Sequence, residues 1–257
     1  MPSNPESVRI AAVADIHCQR IPPDELRPML LQANEQADVL LLCGDLTDLG
    51  TSEEALVLAK ELSVARLPMV GVLGNHDFQS GRPDEVREIL IDAGVRMLDG
   101  EVCEFHGVGF AGVKGFAGGF GRRTLEPWGE SIIKQFVQEA LDETLKLESA
   151  LARLRPKHRI AVLHYAPIRA TVVGEPEEIF AFLGSSRLEE PINRYGVTAV
   201  FHGHAHRGAP EGKTQTGIPV FNVSMSLLKK TYPDRPSFRL FEVPRERPEG
   251  EQASGIA

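Results

Sequence analysis

Cysteine is scarce in this sequence, whose 257 residues include three, at Cys18, Cys43 and Cys103. An odd number without framework spacing argues against a scaffold held together by disulfides. Long apolar runs are also missing, since none approaches the roughly 18 residues that a membrane helix requires. The polar opening, M-P-S-N-P-E-S, leads into only a short apolar segment, so we expect no secretory signal. These absences predict reduced thiols, no membrane span and a cytoplasmic location.

An excess of positive charge is missing as well. The 36 acidic residues outnumber the 28 lysines and arginines and give a net charge of −8. Proteins that bind nucleic acids through the phosphates usually display a basic face, so this balance argues against such a partner. The apolar and charged fractions are those of an ordinary globular protein. The length suits one α/β domain with a sizeable core, or two small domains.

Short apolar, β-branched runs separated by turn residues predict strands. They cover residues 8–14, 38–43, 69–73, 102–106, 108–111, 159–164, 197–202, 218–223 and 237–243. Amphipathic segments at residues 24–36, 51–65, 83–93, 131–154 and 186–195 predict helices. Thr51 and Glu54 have the spacing of a capping box, and Pro83 suits a first helical turn.

Early strands alternate with helices, which predicts parallel β-α-β units, whereas the later strands follow one another closely and predict antiparallel pairing. We therefore expect an α/β fold with mixed sheets, two of them stacked, and helices outside. Residues 1–243 would form a single domain. The charged, Pro- and Gly-rich segment 244–257 predicts a disordered tail, and the Gly-rich residues 112–130 predict one long loop.

Polar side chains follow five of the predicted strands at the point where each strand ends. They are Asp15 and His17, Asp45 and Asp48, Asn75 with His76 and Asp77, His164, and His204 with His206. Function gathers past the carboxyl ends of strands in parallel sheets. None of these strand ends carries a serine or cysteine nucleophile beside a base.

Each of these segments also has an ordinary structural explanation. The Asp15 carboxylate could cap a turn, the Gly-Asp pair at Asp45 could be turn chemistry, and Asn75 could form an Asx-turn. His164 could be a core histidine that binds a backbone carbonyl. Gly-His-x-His is the strongest single signal, because alternate side chains project to the same side. The five segments together, each at a strand end, favour a metal site over five separate explanations.

The ligand types indicate the kind of ion. Asp, His and Asn ligands without thiolate suit Mn, Fe or Zn, and they do not suit a cysteine-type structural zinc site. Seven candidate ligands are too many for one ion with an open position, but they suit two ions that share a carboxylate. Such ions lie about 3.5–4 Å apart, hold a hydroxide at neutral pH and clamp both ends of a displacement at phosphorus.

The motifs D-x-H, G-D-x-x-D, G-N-H-D, a single histidine after a strand and G-H-x-H occur in this order between residues 15 and 206. The series resembles that of the calcineurin-like metallophosphoesterases. The resemblance implies a four-layered α-β-β-α sandwich with two mixed sheets. It also implies a hydrolase that acts on a phosphoric ester through a hydroxide bridging two divalent metal ions.

The resemblance further implies a ligand set for each ion. The first ion would be bound by Asp15, His17 and His206, the second by Asn75, His164 and His204, and Asp45 would bridge the two.

Three other residues receive roles from the same resemblance. His76 would face the substrate phosphate and stabilise the transition state or protonate the leaving oxygen. Asp77 would orient His76, as a carboxylate does for a working imidazole, and Asp48 would support the site. The remaining histidines, His202, His106 and His158, are interpreted as packed, strand-end or surface residues.

Departures from the family pattern concern the substrate. In the protein phosphatases of the superfamily the second motif usually continues into Arg-Gly and the third ends in Glu, whereas this sequence has G-D-L-T-D-L-G and G-N-H-D. It is more similar to the compact bacterial branch that includes the class III cyclic-nucleotide phosphodiesterases. A small phosphodiester substrate is therefore expected. The alternatives are a phosphomonoesterase or protein phosphatase, a nuclease and, more remotely, a non-catalytic scaffold, which the presence of His76 disfavours.

The Gly-rich loop contains candidate substrate-binding residues, namely the cations Lys114, Arg122 and Arg123 and the aromatics Phe116, Phe120 and Trp128. Cations beside aromatic rings can bind a phosphate and stack a base, so the loop is predicted to form a lid over the metal pair. A loop that packs at a subunit interface, or one that lies free in solvent, explains the same residues, and the first of these leaves a homodimer open. Tyr165 and Arg169, just after His164, are further pocket candidates.

Overall fold

The computed structural model describes residues 6–20 and 23–245. In this part of the chain eleven strands form two mixed sheets. The first sheet contains β1 (Ser7–Val13), β2 (Val39–Cys43), β3 (Met69–Val72), β4 (Val95–Met97) and β11 (Arg239–Pro244), in the order β11-β1-β2-β3-β4. Strands β1 to β4 are parallel, and β11 pairs antiparallel with β1.

The second sheet contains β5 (Val102–Phe105), β6 (Val108–Gly112), β7 (His158–Val162), β8 (Ala199–His202), β9 (Glu211–Lys213) and β10 (Pro219–Asn222). Their order is β5-β6-β7-β8-β10-β9. The four central strands are parallel, and the edge strands β5 and β9 are antiparallel to their neighbours.

The helices are α1 (Pro23–Gln36), α2 (Ser52–Leu62), α3 (Pro83–Asp92), α4 (Ser131–Arg153), α5 (Phe180–Leu183), α6 (Glu189–Arg194) and α7 (Met225–Thr231). Short 3-10 turns lie at His76–Phe78, Gly121–Arg123, Arg169–Val172, Glu177–Ile179 and Ser186–Leu188. The capping box predicted for α2 is present, with the Glu54 amide donating to the Thr51 hydroxyl and the Thr51 amide donating to the Glu54 carboxylate. Pro83 opens α3.

Alternate residues of the central strands divide the core into layers. Val39 and Leu41 of β2 face the second sheet and pack with Phe110 of β6, whereas Leu40 and Leu42 face α1 to α3. On the outer face of the second sheet, β6, β7 and β8 pack against α4 and α6. The predicted α-β-β-α sandwich is therefore confirmed. Because both faces of each sheet are covered, the central strands are apolar throughout.

The expectation of antiparallel pairing among the later strands is wrong for β7, β8 and β10, which pair in parallel. Helix α4 connects β6 to β7, and the segment containing α5 and α6 connects β7 to β8. These crossovers return the chain to the same end of the sheet, as parallel pairing requires. Strands β4 and β9 and helix α7 lie in segments that the periodicity left unassigned.

The predicted tail boundary at residue 244 needs a correction, because Pro244 belongs to β11 and pairs with Ser7. Residues 246–257 of that segment lie outside the described residues.

The cysteines Cys18, Cys43 and Cys103 are free thiols. Within residues 6–20 and 23–245, no helix has both the length and the apolar character that a bilayer span needs.

The two sheets meet along the edge where their parallel strands end. The Ala14 amide, just after β1, donates to the Val223 carbonyl, just after β10, over 2.9 Å, and the Met225 amide donates to the Ala14 carbonyl over 2.9 Å. The loops of both sheets are therefore close together at this edge, which is where the predicted site residues lie.

Candidate metal centre

The five predicted strand-end segments converge at the carboxyl edge of the two sheets. The His17 amide donates to the Asp45 carbonyl over 3.0 Å, which joins the loops after β1 and β2. The Gly203 amide donates to the His164 carbonyl over 3.1 Å, which joins the loops after β7 and β8. The His204 amide donates to the Asp15 carboxylate over 3.0 Å and connects the second sheet to the first. Hydrogen bonds from backbone amides thus hold the loops together, and one of them also positions the candidate ligand Asp15.

The backbone is strained at this edge. Asp15, His17, Asp45 and His204 all have positive φ angles, of 55°, 44°, 51° and 70°. Left-handed conformations of non-glycine residues cost about 1–3 kcal/mol each and persist where the surrounding structure enforces them. Among the described residues one other non-glycine residue, His106, has a positive φ, and it precedes Gly107 in the turn between β5 and β6. The strain therefore coincides with the candidate ligands.

Two glycines permit the close approach of the ligands. A Cβ atom on Gly44 would lie 2.6 Å from the ring of His164, and Gly44 has a φ of +83°. A Cβ atom on Gly203 would lie 2.5 Å from the Asp15 carboxylate. Any larger residue at either position would displace a candidate ligand.

The first ligand group consists of Asp15, His17 and His206, whose ligand atoms lie within 4.8 Å of one another. His206 Nε2 is 3.0 Å from Asp15 Oδ1. His17 is buried, and neither of its ring nitrogens has a hydrogen-bond partner within residues 6–20 and 23–245. Its Nδ1 lies 3.2 Å from Asp48 Oδ1, which is also without a hydrogen bond. Unpartnered buried nitrogens are costly in a protein, and an ion bound to this ring would satisfy one of them.

Asn75, His164 and His204 form the second ligand group. With Asp45, the two histidines place their ligand atoms within 4.8 Å of one another. The His164 Nδ1–H donates to the Cys43 carbonyl over 3.0 Å, because a carbonyl can only accept. In the neutral ring the Nε2 lone pair then faces Asn75 Oδ1 at 2.9 Å and Asp45 Oδ1 at 3.3 Å. Three acceptors at these distances require a cation or a proton between them, so the donor set fits a divalent metal.

His204 is oriented in a comparable way. Its Nε2 lies 3.2 Å from the carbonyl oxygen of Phe182 and donates to it, which leaves Nδ1 as the nitrogen that can bind an ion. Ligating histidines commonly donate their other ring N–H to such a group, which fixes the tautomer and the ring orientation.

The Asp45 carboxylate lies between the two groups and is almost completely buried. Its Oδ1 is 3.3 Å from His164 Nε2, and its Oδ2 is 3.9 Å from His17 Nε2. The same carboxylate accepts the His76 amide over 2.8 Å. Among the candidate ligands described here, Asp45 is the residue with one oxygen directed to each group, as a bridging ligand needs.

The protonation states of Asp45, His17 and His204 suit metal binding. Burial acts to raise the pKa of Asp45, but the nearby histidines, His164 first, outweigh burial and hold this pKa well below its ordinary value. Burial lowers the pKa of His204 to about 4 and also lowers the pKa of His17. At neutral pH the carboxylate is therefore charged and these two rings are neutral, which are the forms that bind metal ions. His164 differs from them: burial acts to lower its pKa, but the Asp45 carboxylate outweighs burial and raises the pKa of His164 to about 9, so an ion that binds this ring displaces a proton from it.

His76 lies beside the ligands, with its side chain about one-third exposed and its Nε2 4.0 Å from Asp45 Oδ2. Its Nδ1–H donates to the main-chain carbonyl of Asp48 over 2.7 Å. The group that orients His76 is thus the main-chain carbonyl of Asp48, and the supporting role of the Asp48 side chain stays a prediction. The expectation that Asp77 orients His76 needs a correction.

The Asp77 carboxylate is fully buried, and its hydrogen bonds join it to groups other than the His76 ring. It accepts the Gly74 amide over 2.8 Å, the Thr47 amide over 2.8 Å and the Thr47 hydroxyl over 2.6 Å. Burial, and then the charge of Asp45, raise the pKa of Asp77 to about 6 despite these bonds. Asp77 joins the loops after β2 and β3, and this is a structural role that the motif alone could not reveal.

The other histidines occupy structural positions, as interpreted from the sequence. His202 is buried in β8, where its ring bonds to the Gly203 carbonyl and the Thr171 hydroxyl, each over 2.8 Å. His106 lies in the hairpin turn after β5, and His158 begins β7.

The predicted substrate-binding cations lie in two places. Lys114 follows β6, and its Nζ lies 5.5 Å from the ring centroid of Tyr165, the residue next to His164. Arg122 and Arg123 are exposed in a 3-10 turn, and Arg122 lines a groove with Arg187. No candidate ligand lines that groove in the part of the chain that the structure describes. The structure brings Lys114 near the ligands but not the two arginines, and the lid role of the loop stays a prediction.

Several groups at the site were missed by sequence reasoning. They are the main-chain carbonyls of Cys43, Asp48 and Phe182, each of which orients a histidine. Carbonyl groups are present at every residue, so the sequence contains no signal for them. The Tyr165 ring, a pocket candidate because it follows His164 in the sequence, lies 4.4 Å from the His204 ring.

The sequence matches the family described as calcineurin-like phosphoesterase over residues 8–208. The fold is similar to that of phosphopantetheinyl hydrolase from Mycobacterium tuberculosis, with a TM-score of 0.67 and 16% identity, covering 97% of this chain and 99% of that one. It is also similar to the protein TT1561 of Thermus thermophilus, with a TM-score of 0.54 and 16% identity, covering 93% and 100% of the two chains.

A third similar structure is purple acid phosphatase PPD1 from yellow lupin (Lupinus luteus) seeds, with a TM-score of 0.51 and 14% identity. The similarity covers 80% of this chain and 39% of that one. Comparison with curated proteins finds no significant match. At these identities the structural similarities concern the fold.

Proposed function

The chain belongs to the calcineurin-like phosphoesterases, hydrolases that act on phosphoric esters, and from this premise we propose that it is a dinuclear metal-dependent phosphoesterase for a small phosphodiester. The observation that carries the proposal is the position of Asp45 between the first and second ligand groups. Both groups and the shared carboxylate lie at one edge of the fold. Such an arrangement suits two divalent ions, such as Mn, Fe or Zn.

Bound ions would supply a nucleophile at neutral pH and would neutralise charge that develops on the phosphoryl oxygens. The protein would hold Asp15, His17 and His206 on one side of Asp45 and Asn75, His164 and His204 on the other. The hydrogen bonds of His164 and His204 to main-chain carbonyls fix which ring nitrogen faces the ions.

We assign His76 to the leaving oxygen. Its Nδ1–H is engaged by the Asp48 carbonyl, so its Nε2 is the nitrogen directed toward Asp45. A proton held at Nε2 could be donated to the departing oxygen, and general acid catalysis of this kind contributes roughly 10²–10⁴-fold. Partial exposure of the His76 side chain leaves room for a substrate beside it.

Two features argue for a small substrate, one against a phosphoprotein and the other against a nucleic acid. In the related protein phosphatases the G-D-x-x-D motif continues into arginine, and here that position is Leu49, whose side chain is apolar and exposed. A cation that could bind a protein-linked phosphate is therefore missing at that position. The net charge of −8 argues against a nuclease, because binding to a phosphate backbone depends on positive charge.

The proposal is tested with a panel of chromogenic phosphate monoesters and diesters and cyclic nucleotides, each assayed with Mn²⁺, Fe²⁺, Zn²⁺ and Ni²⁺. We expect metal-dependent turnover, with higher kcat/KM for small diesters than for monoesters of the same leaving group. Preference for monoesters would contradict the diester assignment and leave the family chemistry intact. Absence of turnover for every ester with every metal would contradict the proposed function itself.

A further inference from the structure

A cluster of aromatic rings flanks the second ligand group on one side. We call it the aromatic ledge, and it consists of Phe78, Phe116, Phe136, Tyr165 and Phe182, with the ammonium group of Lys114 among the rings. Adjacent rings are close, with centroid distances of 5.9 Å for Tyr165 and Phe116, 5.0 Å for Phe116 and Phe136, and 6.4 Å for Phe136 and Phe182. The five residues come from separate segments of the chain.

The aromatic ledge adjoins the metal centre through Tyr165 and Phe182 and also through Phe78. Tyr165 packs against the candidate ligand His204 at 4.4 Å between centroids, and the Phe182 carbonyl accepts the Nε2–H of the same histidine. Phe78 lies in the same 3-10 turn as His76. A group attached to a phosphate at the centre would therefore be within reach of these rings.

Two rings of the ledge are exposed to solvent. The relative exposure of Phe182 is 57% and that of Phe78 is 41%. The rings behind them are more buried, with Tyr165 at 7%. Scattered exposed apolar residues are ordinary, but these two belong to segments that hold or neighbour the histidines of the site. Their position indicates a surface for an apolar part of the substrate.

Lys114 contributes positive charge to this surface, and one of its three N–H donors is already engaged. Its Nζ lies 4.9 Å from the ring centroid of Phe116 and 5.4 Å from that of Phe78. The ammonium group already donates to the Gly115 carbonyl over 2.9 Å and lies 3.9 Å from Glu139. The Lys114 side chain is 12% exposed, so its ammonium group interacts mainly with the rings of the ledge through cation–π contacts.

We propose that the aromatic ledge binds a planar aromatic group on the phosphate ester and thereby selects aryl or nucleobase-bearing substrates. The proposal rests on the proposed function, since it names the substrate class of the same centre. Rings that present a face to solvent stack with planar groups and do so with little dependence on sequence or substituent. An aliphatic group of equal size would bind through the burial of its apolar surface alone, without the added free energy of stacking.

The test uses phosphonates, whose P–C bond is not hydrolysed, so that binding is measured apart from turnover. Phenylphosphonate, cyclohexylphosphonate and methylphosphonate are titrated by calorimetry into the Mn²⁺-loaded protein. We expect phenylphosphonate to bind roughly tenfold more tightly than cyclohexylphosphonate, because stacking adds to burial. Phe182→Ala and Phe78→Ala should each reduce this preference about three- to tenfold.

Leu56→Ala serves as the control, since Leu56 is 59% exposed on α2 and is no part of the ledge. It should leave all three affinities unchanged. Equal affinities for the phenyl and cyclohexyl compounds would overturn the selection of planar groups. A phenyl preference that survives both phenylalanine substitutions would overturn the assignment to the ledge. Either result would leave metal-dependent ester hydrolysis in place, whereas failure of the ester panel would remove the proposed function.

Discussion

The first and second ligand groups have similar chemistry but differ in how firmly they are held. In the second group both histidines donate to main-chain carbonyls, His164 to Cys43 and His204 to Phe182. In the first group neither ring nitrogen of His17 has a hydrogen-bond partner among the described residues, and the His206 ring bonds to the Asp15 carboxylate, which is itself a candidate ligand. The His164 side chain is fully buried, whereas that of His206 is 39% exposed.

This difference indicates that the second group is organised before an ion arrives, whereas the first group depends on the ion for its final arrangement. Preorganised ligands bind metal more tightly because less ordering accompanies binding. We therefore expect the two ions to differ in affinity, with the tighter ion in the second group.

The largest effect is expected from Asp45→Asn, because both groups share this carboxylate. Metal content should fall in both groups, and turnover should drop to background, as measured by elemental analysis and ester hydrolysis on the same samples. Asp38→Asn is the matched control, since Asp38 precedes the same strand β2 at its opposite end and pairs with Arg9. Retention of two ions by Asp45→Asn would show that the carboxylate does not bridge the groups.

His76→Ala should separate catalysis from metal binding, because we assign His76 to the leaving oxygen. The test is needed because a ring nitrogen of His76 also lies within 4.8 Å of ligand atoms of His17 and Asp45. Its Nε2 is 4.0 Å from Asp45, and its Nδ1–H is bound to a carbonyl, so its loss removes a proton donor. We expect kcat to fall by roughly 10²-fold or more while two ions per chain remain. Loss of the ions would show that His76 is a ligand, and His76 would then have to be added to the first group.

A direct comparison of His164→Ala with His206→Ala tests the difference between the groups. The His206 variant should retain one tightly bound ion, whereas the His164 variant should bind metal more weakly overall. Loss of a residue that merely supports a ligand costs roughly 10–100-fold in affinity, and loss of His164 should cost at least as much. Equilibrium dialysis with Mn²⁺ measures both stoichiometry and affinity. Equal behaviour of the two variants would show that the groups are not organised differently.

The smallest effect is expected from Thr47→Val, which removes the hydroxyl that donates to Asp77 over 2.6 Å. Both residues are fully buried, so the free energy of unfolding should fall by about 1–3 kcal/mol, as measured by urea denaturation. The number of bound ions should not change in either group. Thr124→Val in an exposed loop is the control. An unchanged stability would show that Asp77 does not depend on Thr47 to hold the two loops together.

Much of the fold could be predicted from the sequence because its signals are local. The apolar run at residues 38–43 ends at a Gly-Asp pair, and β2 ends at Cys43. The capping spacing of Thr51 and Glu54 marks the start of α2. The pairing of β7, β8 and β10 could not be predicted in this way, because the periodicity of a strand does not reveal the direction of its neighbour.

The candidate ligands could also be predicted, because residue type and position at a strand end are visible in the chain. The role of Asp77 could not, since its carboxylate bonds to Thr47 and Gly74, and the first of these lies 30 residues away in the chain. Similarly, the sequence places Lys114 in one loop with Arg122 and Arg123. The structure separates them, since the end of β6 lies beside Tyr165, whereas the rest of the loop packs on the segment around Gly184.

The sequence by itself determined which side chains are available as ligands, in what order, and at which strand ends they occur. Only the tertiary structure decided that Asp45 lies between two groups, that carbonyls of Cys43, Asp48 and Phe182 orient the histidines, and that aromatic rings line one side of the centre. The reason is physical. Residue identity fixes the chemistry of a ligand, but its distance and orientation depend on contacts such as that between His164 and Cys43, which are 121 residues apart in the chain.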